Sequence, residues 1–226
     1  MMLSKRVSAS DDVDRSEIPT HLGYAIPVLC RQFNYYLCVF NMIVLIRHAT
    51  PKIDYSSCNY QTAQQRLREY NQTQDVEEQE IETFLSSALF QEIKARRPVV
   101  YSSPVGRAER TCQLVFGHID GYTIHSELRE VGLEITPLPL LKMKIRTWFL
   151  LSRLAWLLRM NHAQEKIGHA LQRSEALLPF LEQHDDVAIV SHGYLMHYLK
   201  KHLKKNRYHV KDRFKQGCFT AEIWEK

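Results

Sequence analysis

The sequence has no pair of cysteines placed to bind a metal or close a small loop. Its five, at positions 30, 38, 58, 112 and 218, are odd in number, scattered and without a CxxC. That argues against a disulfide framework and against a cysteine-rich zinc module, and it favours a reducing compartment, so the expected location is cytoplasmic. No stretch reaches the roughly 18 consecutive apolar residues of a membrane span. Residues 22–46 come nearest, but Arg31, Gln32, Asn34 and Asn41 interrupt them. The same stretch lacks the charged start and clean apolar core of an export signal. Glycine is missing altogether between Pro51 and Pro98. There is no Gly-rich loop of the Walker type, no GxSxG elbow and no HExxH, although His192 and His197 stand five apart. Those absences remove P-loop, serine-elbow and zinc-hydrolase chemistry from consideration.

What is present suits one globular domain: 226 residues, 45% hydrophobic, with no internal repeat. The net charge of +5 is uneven. Seven acids and no Lys or Arg fall between Glu69 and Glu92, whereas the stretch from Lys200 to Lys215 holds eight Lys/Arg against Asp212. Neither aromatic interleaving nor a known nucleic-acid module accompanies that basic stretch, so it reads as a solvated face, and no nucleic-acid partner is expected.

Three apolar runs end in polar turns. Met42 to Ile46 empties into Arg47-His48, Val99-Val100-Tyr101 into SSPVGR ending at Arg107, and Val187 to Val190 into Ser191-His192-Gly193. Each reads as a buried strand. In open α/β sheets the functional groups lie just beyond the carboxyl ends of the strands, so these turns are the candidate site. Helical patterns are expected over 77–95, 107–116 (with Gly117 as C-cap), 144–160, 162–182 and 194–203. A short strand is expected at 122–124 and an edge strand at 219–224. Residues 51–75 read as polar loop with a helical piece. Alternating β and α elements predict an α/β fold, a three-layer α/β/α sandwich.

RHAT (47–50), SSPVGRAERT (102–111), LRE (128–130) and VSHG (190–193) together resemble, in order, the signatures of the histidine phosphatase superfamily, the phosphoglycerate mutase-like proteins. The resemblance spans roughly 42–224. Ala49 stands where Gly is commoner, and the Gly-x-Trp-Glu-Gly usual after the third motif is replaced by VGLEITPLPLL. The resemblance implies a phosphoglycerate mutase-like domain over 42–226 with a helical cap insertion at about 135–170.

The resemblance also implies an activity: a metal-independent phosphoric monoester hydrolase of the histidine acid phosphatase type, acting on a small phosphorylated substrate without a cofactor. His48 would be the nucleophile and form a phosphohistidine, and His192 would donate to the moving phosphoryl group. Glu130 would serve as acid and base, with Glu127 and Glu134 as competitors for that role. A neutral imidazole attacks phosphorus when nearby cations keep it deprotonated, and a guanidinium fork binds phosphate oxygens in pairs. Arg47 and Arg107 fit that second need. Thr50 and Ser103 would contact phosphate or cap turns. Two alternatives stand beside this reading: a mutase-like phosphotransferase, and a silent relative acting as a binding module. A cysteine-based mechanism is disfavoured, since Arg66 follows Cys58 too late for C-x5-R.

The segment 144–160 is apolar almost all round, with Lys142, Arg146 and Arg153 as a basic stripe. As a lid it would turn the stripe to the pocket and pack on 162–182. As an interfacial helix it would put Trp148 and Trp156 into a bilayer. Residues 1–41 are expected to be an N-terminal extension, either a poorly ordered arm or the product of an upstream start codon.

Overall fold

A computed structural model describes residues 41–117, 121–138, 140–160 and 165–226. The chain divides into Met1–Cys38 and Val39–Lys226, and the described residues all belong to the second unit. The expectation for residues 1–41 therefore lies outside the described residues, Asn41 apart, as does the start of the helix expected over 162–182.

The strand β1 (Met42–Arg47) is the centre of the molecule. Met42, Val44 and Ile46 enter one core cluster with Phe84, Ile93 and Phe116, whereas Ile43 and Leu45 enter another with Leu177, Leu181 and Leu199. Successive side chains of a strand point to opposite faces, so an uninterrupted apolar run is buried on both. Helices α2 (Glu78–Leu85), α3 (Ala88–Arg96) and α4 (Gly106–Phe116) cover the first face. Helices α6 (Ile167–Leu181) and α7 (Gly193–Lys205) cover the second. This is the expected three-layer sandwich.

The six strands run in the order β4 (Thr123–Ile124), β3 (Val99–Ser102), β6 (Asp186–Ser191), β1, β8 (Phe219–Glu225), β7 (His209–Gln216). The first four are parallel; β8 is antiparallel to β1, and β7 to β8. Here the structure corrects the sequence reading: β8 is interior, and the edge strand is β7, inside the basic stretch. Its periodic signal is hidden because charged side chains crowd a strand with one open edge, where they discourage pairing with other chains. The basic residues are shared out: Lys200 and Arg213 meet the buried Glu222, and Lys211 meets Glu92 and Glu225.

The single helix expected over 77–95 is two helices. Ser87 breaks it and caps α3, its side chain accepting from Phe90 N at 3.2 Å. Gly117 ends α4 at φ −61°, without using the left-handed region. The segment 51–75 contains a full helix, α1 (Tyr60–Gln72), capped by Asn59, and a short strand β2 (Ser57–Cys58) that pairs with β5 (Met143–Lys144). Together with α5 (Ile145–Leu157) they share one apolar cluster, which draws on residues both inside and outside the expected insertion at 135–170.

Trp148, fully buried, packs with Ala63 and Leu67 of α1 and donates to Cys58 O at 3.0 Å. Trp156 is 3% exposed, sits with Ala170 and Tyr198, and donates to Glu165 O at 2.8 Å. Both indoles are spent on packing and hydrogen bonds, so neither is available to a bilayer. The main partner of α5 is α1, and only its Trp156 end reaches α6. Among the described residues no helix is long and apolar enough to cross a membrane.

Candidate active site

Register brings the two histidines together. In the parallel pair β1/β6, Arg47 lies opposite Ser191, and His48 N donates to Ser191 O at 3.1 Å. Each strand then delivers a histidine at the same carboxyl edge, with ring centroids 5.1 Å apart. The neighbouring β3 ends one step away: Ser103 N donates to Val190 O at 2.9 Å, and Ser103 Oγ lies 2.7 Å from His192 Nε2. Arg107 follows in the first turn of α4. Helix α7 starts at this edge with His192 as its N-cap, adding the positive end of a helix dipole.

His48 is wholly buried, and its tautomer is fixed from both sides. The Arg107 Nε–H donates to His48 Nε2 at 3.1 Å, so that nitrogen carries the lone pair. His48 Nδ1 therefore carries the proton and donates it to Ala49 O at 2.7 Å. Burial, then the Arg107 charge, and more weakly Arg47, hold His48 well below the ordinary imidazole range, against the opposing pull of the Ala49 hydrogen bond. Burial first, then His48, Arg107, Arg47 and Arg173, do the same to His192. Both rings are neutral at pH 7.

Arg107 is fully buried; it donates to Tyr70 O at 2.9 Å and lies 4.3 Å over the Tyr70 ring. Among the described residues, Arg47 Nε, Arg107 Nη2 and His192 Nδ1 are buried without a hydrogen-bond partner. An unmet buried polar group costs about 1–3 kcal/mol. Three on neighbouring side chains mark a place built to receive hydrogen-bonding atoms. Gly193 is part of that build, because a Cβ there would stand 3.2 Å from the Arg47 guanidinium carbon.

A cavity of about 840 Å³ opens over this cluster, with Arg47, Arg107 and Glu130 in its lining. Glu130 Oε1 accepts from Val131 N at 2.9 Å. Glu127 faces Arg129 instead, and Glu134 is exposed beside a different cavity near Tyr60. Of the three carboxylates, only Glu130 borders the cavity that Arg47 and Arg107 line. Thr50 does not: its hydroxyl donates to Glu80 Oε1 at 2.6 Å and accepts from Cys218 N at 3.0 Å. Of the basic stripe, Arg153 alone lines the cavity. It is buried and bonded to Gly132 O and Val131 O, while Lys142 and Arg146 are exposed.

Sequence reasoning missed several supports. Arg173, buried on α6, donates to Glu127 O and Arg129 O while paired with Glu165, and so fixes the segment leading to Glu130. A lone arginine on an apolar helix face was the available signal. Thr111 Oγ1 accepts from Ala49 N at 3.1 Å and donates to Arg107 O, tying the motifs at 47–50 and 102–111 together. Tyr70 sits in a polar segment that carried no signal. Among the described residues, no group of three or more His, Cys, Asp or Glu is arranged around a metal position.

The sheet order and the helices on its two faces define a phosphoglycerate mutase-like α/β/α protein. The chain matches the model of the histidine phosphatase superfamily (branch 1) over residues 43–223 and belongs to that family. Membership places it among phosphatases and phosphotransferases. No curated protein matches it. Among solved structures, a mycobacterial glucosyl-3-phosphoglycerate phosphatase is 20% identical, covering 73% of this chain and 80% of its own at a TM-score of 0.45. An Entamoeba histolytica phosphoserine phosphatase in complex with 3-phosphoglyceric acid is 16% identical, covering 80% and 89% at 0.46. Bacillus stearothermophilus YhfR is 18% identical, covering 73% and 80% at 0.45.

Proposed function

We propose that the chain is a metal-independent phosphomonoester hydrolase working through a phosphohistidine at His48. The carrying observation is the state of that ring: buried, neutral, protonated on Nδ1, with its Nε2 lone pair held by Arg107, whose side chain lines the cavity. Phosphoryl oxygens entering between Arg47 and Arg107 would replace His48 Nε2 as the acceptor of the Arg107 Nε–H. The freed lone pair then attacks phosphorus. As the N–P bond forms and the ester P–O bond breaks, Glu130 gives its proton to the leaving alcohol. The His192 ring and the two guanidinium groups meet the charge on the equatorial oxygens. Water then attacks the phosphohistidine, Glu130 takes its proton, and the N–P bond breaks to release phosphate.

The alcohol part of the substrate would lie along the cap, where Leu67, Leu133, Phe149, Leu150 and Leu157 form an apolar wall. That wall favours esters of apolar alcohols over sugar phosphates.

The test is chemical trapping. Rapid acid-free quenching with radiolabelled para-nitrophenyl phosphate should yield one labelled phosphoryl group per chain, stable in alkali and labile in acid. His48→Ala should form none and lose turnover on the order of 10³-fold or more. Chelators should leave the wild type active. Full activity in the alanine variant, or chelator sensitivity, would sink the mechanism.

A further inference from the structure

Behind His48 lies a second buried group that the mechanism above does not use. Glu80, on the first turn of α2, is 8% exposed and has no Lys, Arg or His partner among the described residues. Its carboxylate accepts from Thr50 N at 2.9 Å, Thr50 Oγ1 at 2.6 Å and Phe219 N at 3.2 Å. The fold delivers it there deliberately. Lys52 N donates to Asp75 O, Pro51 bridges Val76, and Glu77 N donates to Thr50 O at 2.8 Å, docking the start of α2 on the turn after the nucleophile. Gly217, at φ +55°, completes the enclosure, since a Cβ at that position would overlap Glu80 Oε1.

The Thr50 N–H and the Ala49 carbonyl are two ends of one peptide group. One end takes the His48 Nδ1 proton at 2.7 Å, and the other donates to the Glu80 carboxylate. We propose that Glu80 is a positioning residue for His48, polarising the Ala49–Thr50 peptide so that its carbonyl becomes a stronger and better-fixed acceptor. Hydrogen bonds in such a chain strengthen one another, and more so away from water. The negative charge is needed for this. A carboxylate accepts all three donors, whereas a neutral amide has a single accepting oxygen and its NH2 cannot take the Thr50 hydroxyl proton. The consequence at the far end is a more electron-rich Nε2 and a phosphohistidine whose positive ring is better stabilised. The inference rests on His48 being the nucleophile.

Glu80→Gln separates charge from shape. Its oxygen can keep the Thr50 and Phe219 amides, and its NH2 can donate to Thr50 Oγ1, whose own proton then has to leave its present acceptor. The expected result is phosphoenzyme formation slowed roughly 10- to 100-fold, by analogy with the loss of an outer partner that orients a metal-binding histidine. Substrate KM should change by less than about twofold, since no phosphate contact is lost. In NMR spectra the His48 Nδ1 proton should move upfield, with the ring still the Nδ1–H tautomer and less basic than before. Loosened structure would do the opposite, wetting the ring and raising its titration toward the ordinary range. A phosphorylation rate within about twofold of wild type, with the Nδ1 proton unmoved, would overturn the proposal. Should the wild type form no phosphoenzyme, the proposed function falls, and the Nδ1 proton shift still decides the relay. If the variant does not fold, the wild-type spectrum decides: a Thr50 amide and a His48 Nδ1 proton both far downfield support the chain, and either at an ordinary position refutes it.

Discussion

Glu130 lines the cavity beside Arg47 and Arg107, one of its oxygens accepts from Val131 N, and the proposed function makes it the acid for the leaving alcohol. Glu130→Gln should therefore discriminate by leaving group. With a good one, such as para-nitrophenolate, phosphorylation of His48 should persist. With an alkoxide it should fall by about 10²–10⁴-fold, the usual worth of a positioned acid. Glu127→Gln and Glu134→Gln should hydrolyse both substrates normally, because neither side chain borders the cavity. An equal, small loss in Glu130→Gln for both substrates would move the role to one of the others. At this scale the sequence shows residues whose position follows from a strand end: Arg47, His48, Ser103 and His192. It does not show Thr50 turned away to Glu80, nor Tyr70 under Arg107, because both depend on contacts about 30 or more residues away.

Among the elements, α5 was the hardest to read. An apolar surface all round says that a helix is buried on several sides but not by what. Its neighbours turn out to be α1, from a segment that looked like polar loop, and the α6/α7 pair at the Trp156 end. The cavity-facing side retains Leu150, 57% exposed, and Leu157, 43% exposed. If this wall receives the alcohol, Leu150→Glu should change selectivity rather than chemistry. The ratio of kcat/KM for hexyl phosphate over ethyl phosphate should drop about tenfold, the order expected when a few methylenes lose an apolar partner. The rate of phosphohistidine hydrolysis, measured after the alcohol has left, should not change. A ratio unchanged in the variant would mean that the alcohol lies elsewhere in the cavity.

Across the whole molecule, two neutral histidines buried beside two arginines make the fold sensitive to acid. Both rings sit well below the ordinary value of 6.5 when folded, and both return to it when the chain unfolds. Below that value the unfolded state binds protons that the native state refuses, so stability falls as pH falls. The contribution is complete above about pH 6.5 and is lost progressively beneath it, until each folded ring finally takes its proton. With two such groups the slope approaches about 2.7 kcal/mol per pH unit just below that window. The exposed His197, also lowered by partial burial and by Lys201 and Lys200, adds less. Urea denaturation at pH 7.5, 6.0 and 5.0 should show the wild type losing stability steeply. A His48→Asn/His192→Asn double variant, having nothing to protonate at those positions, should lose much less. Parallel curves for the two proteins would mean that the rings are protonated in the native state at pH 5, and that burial does not hold them neutral.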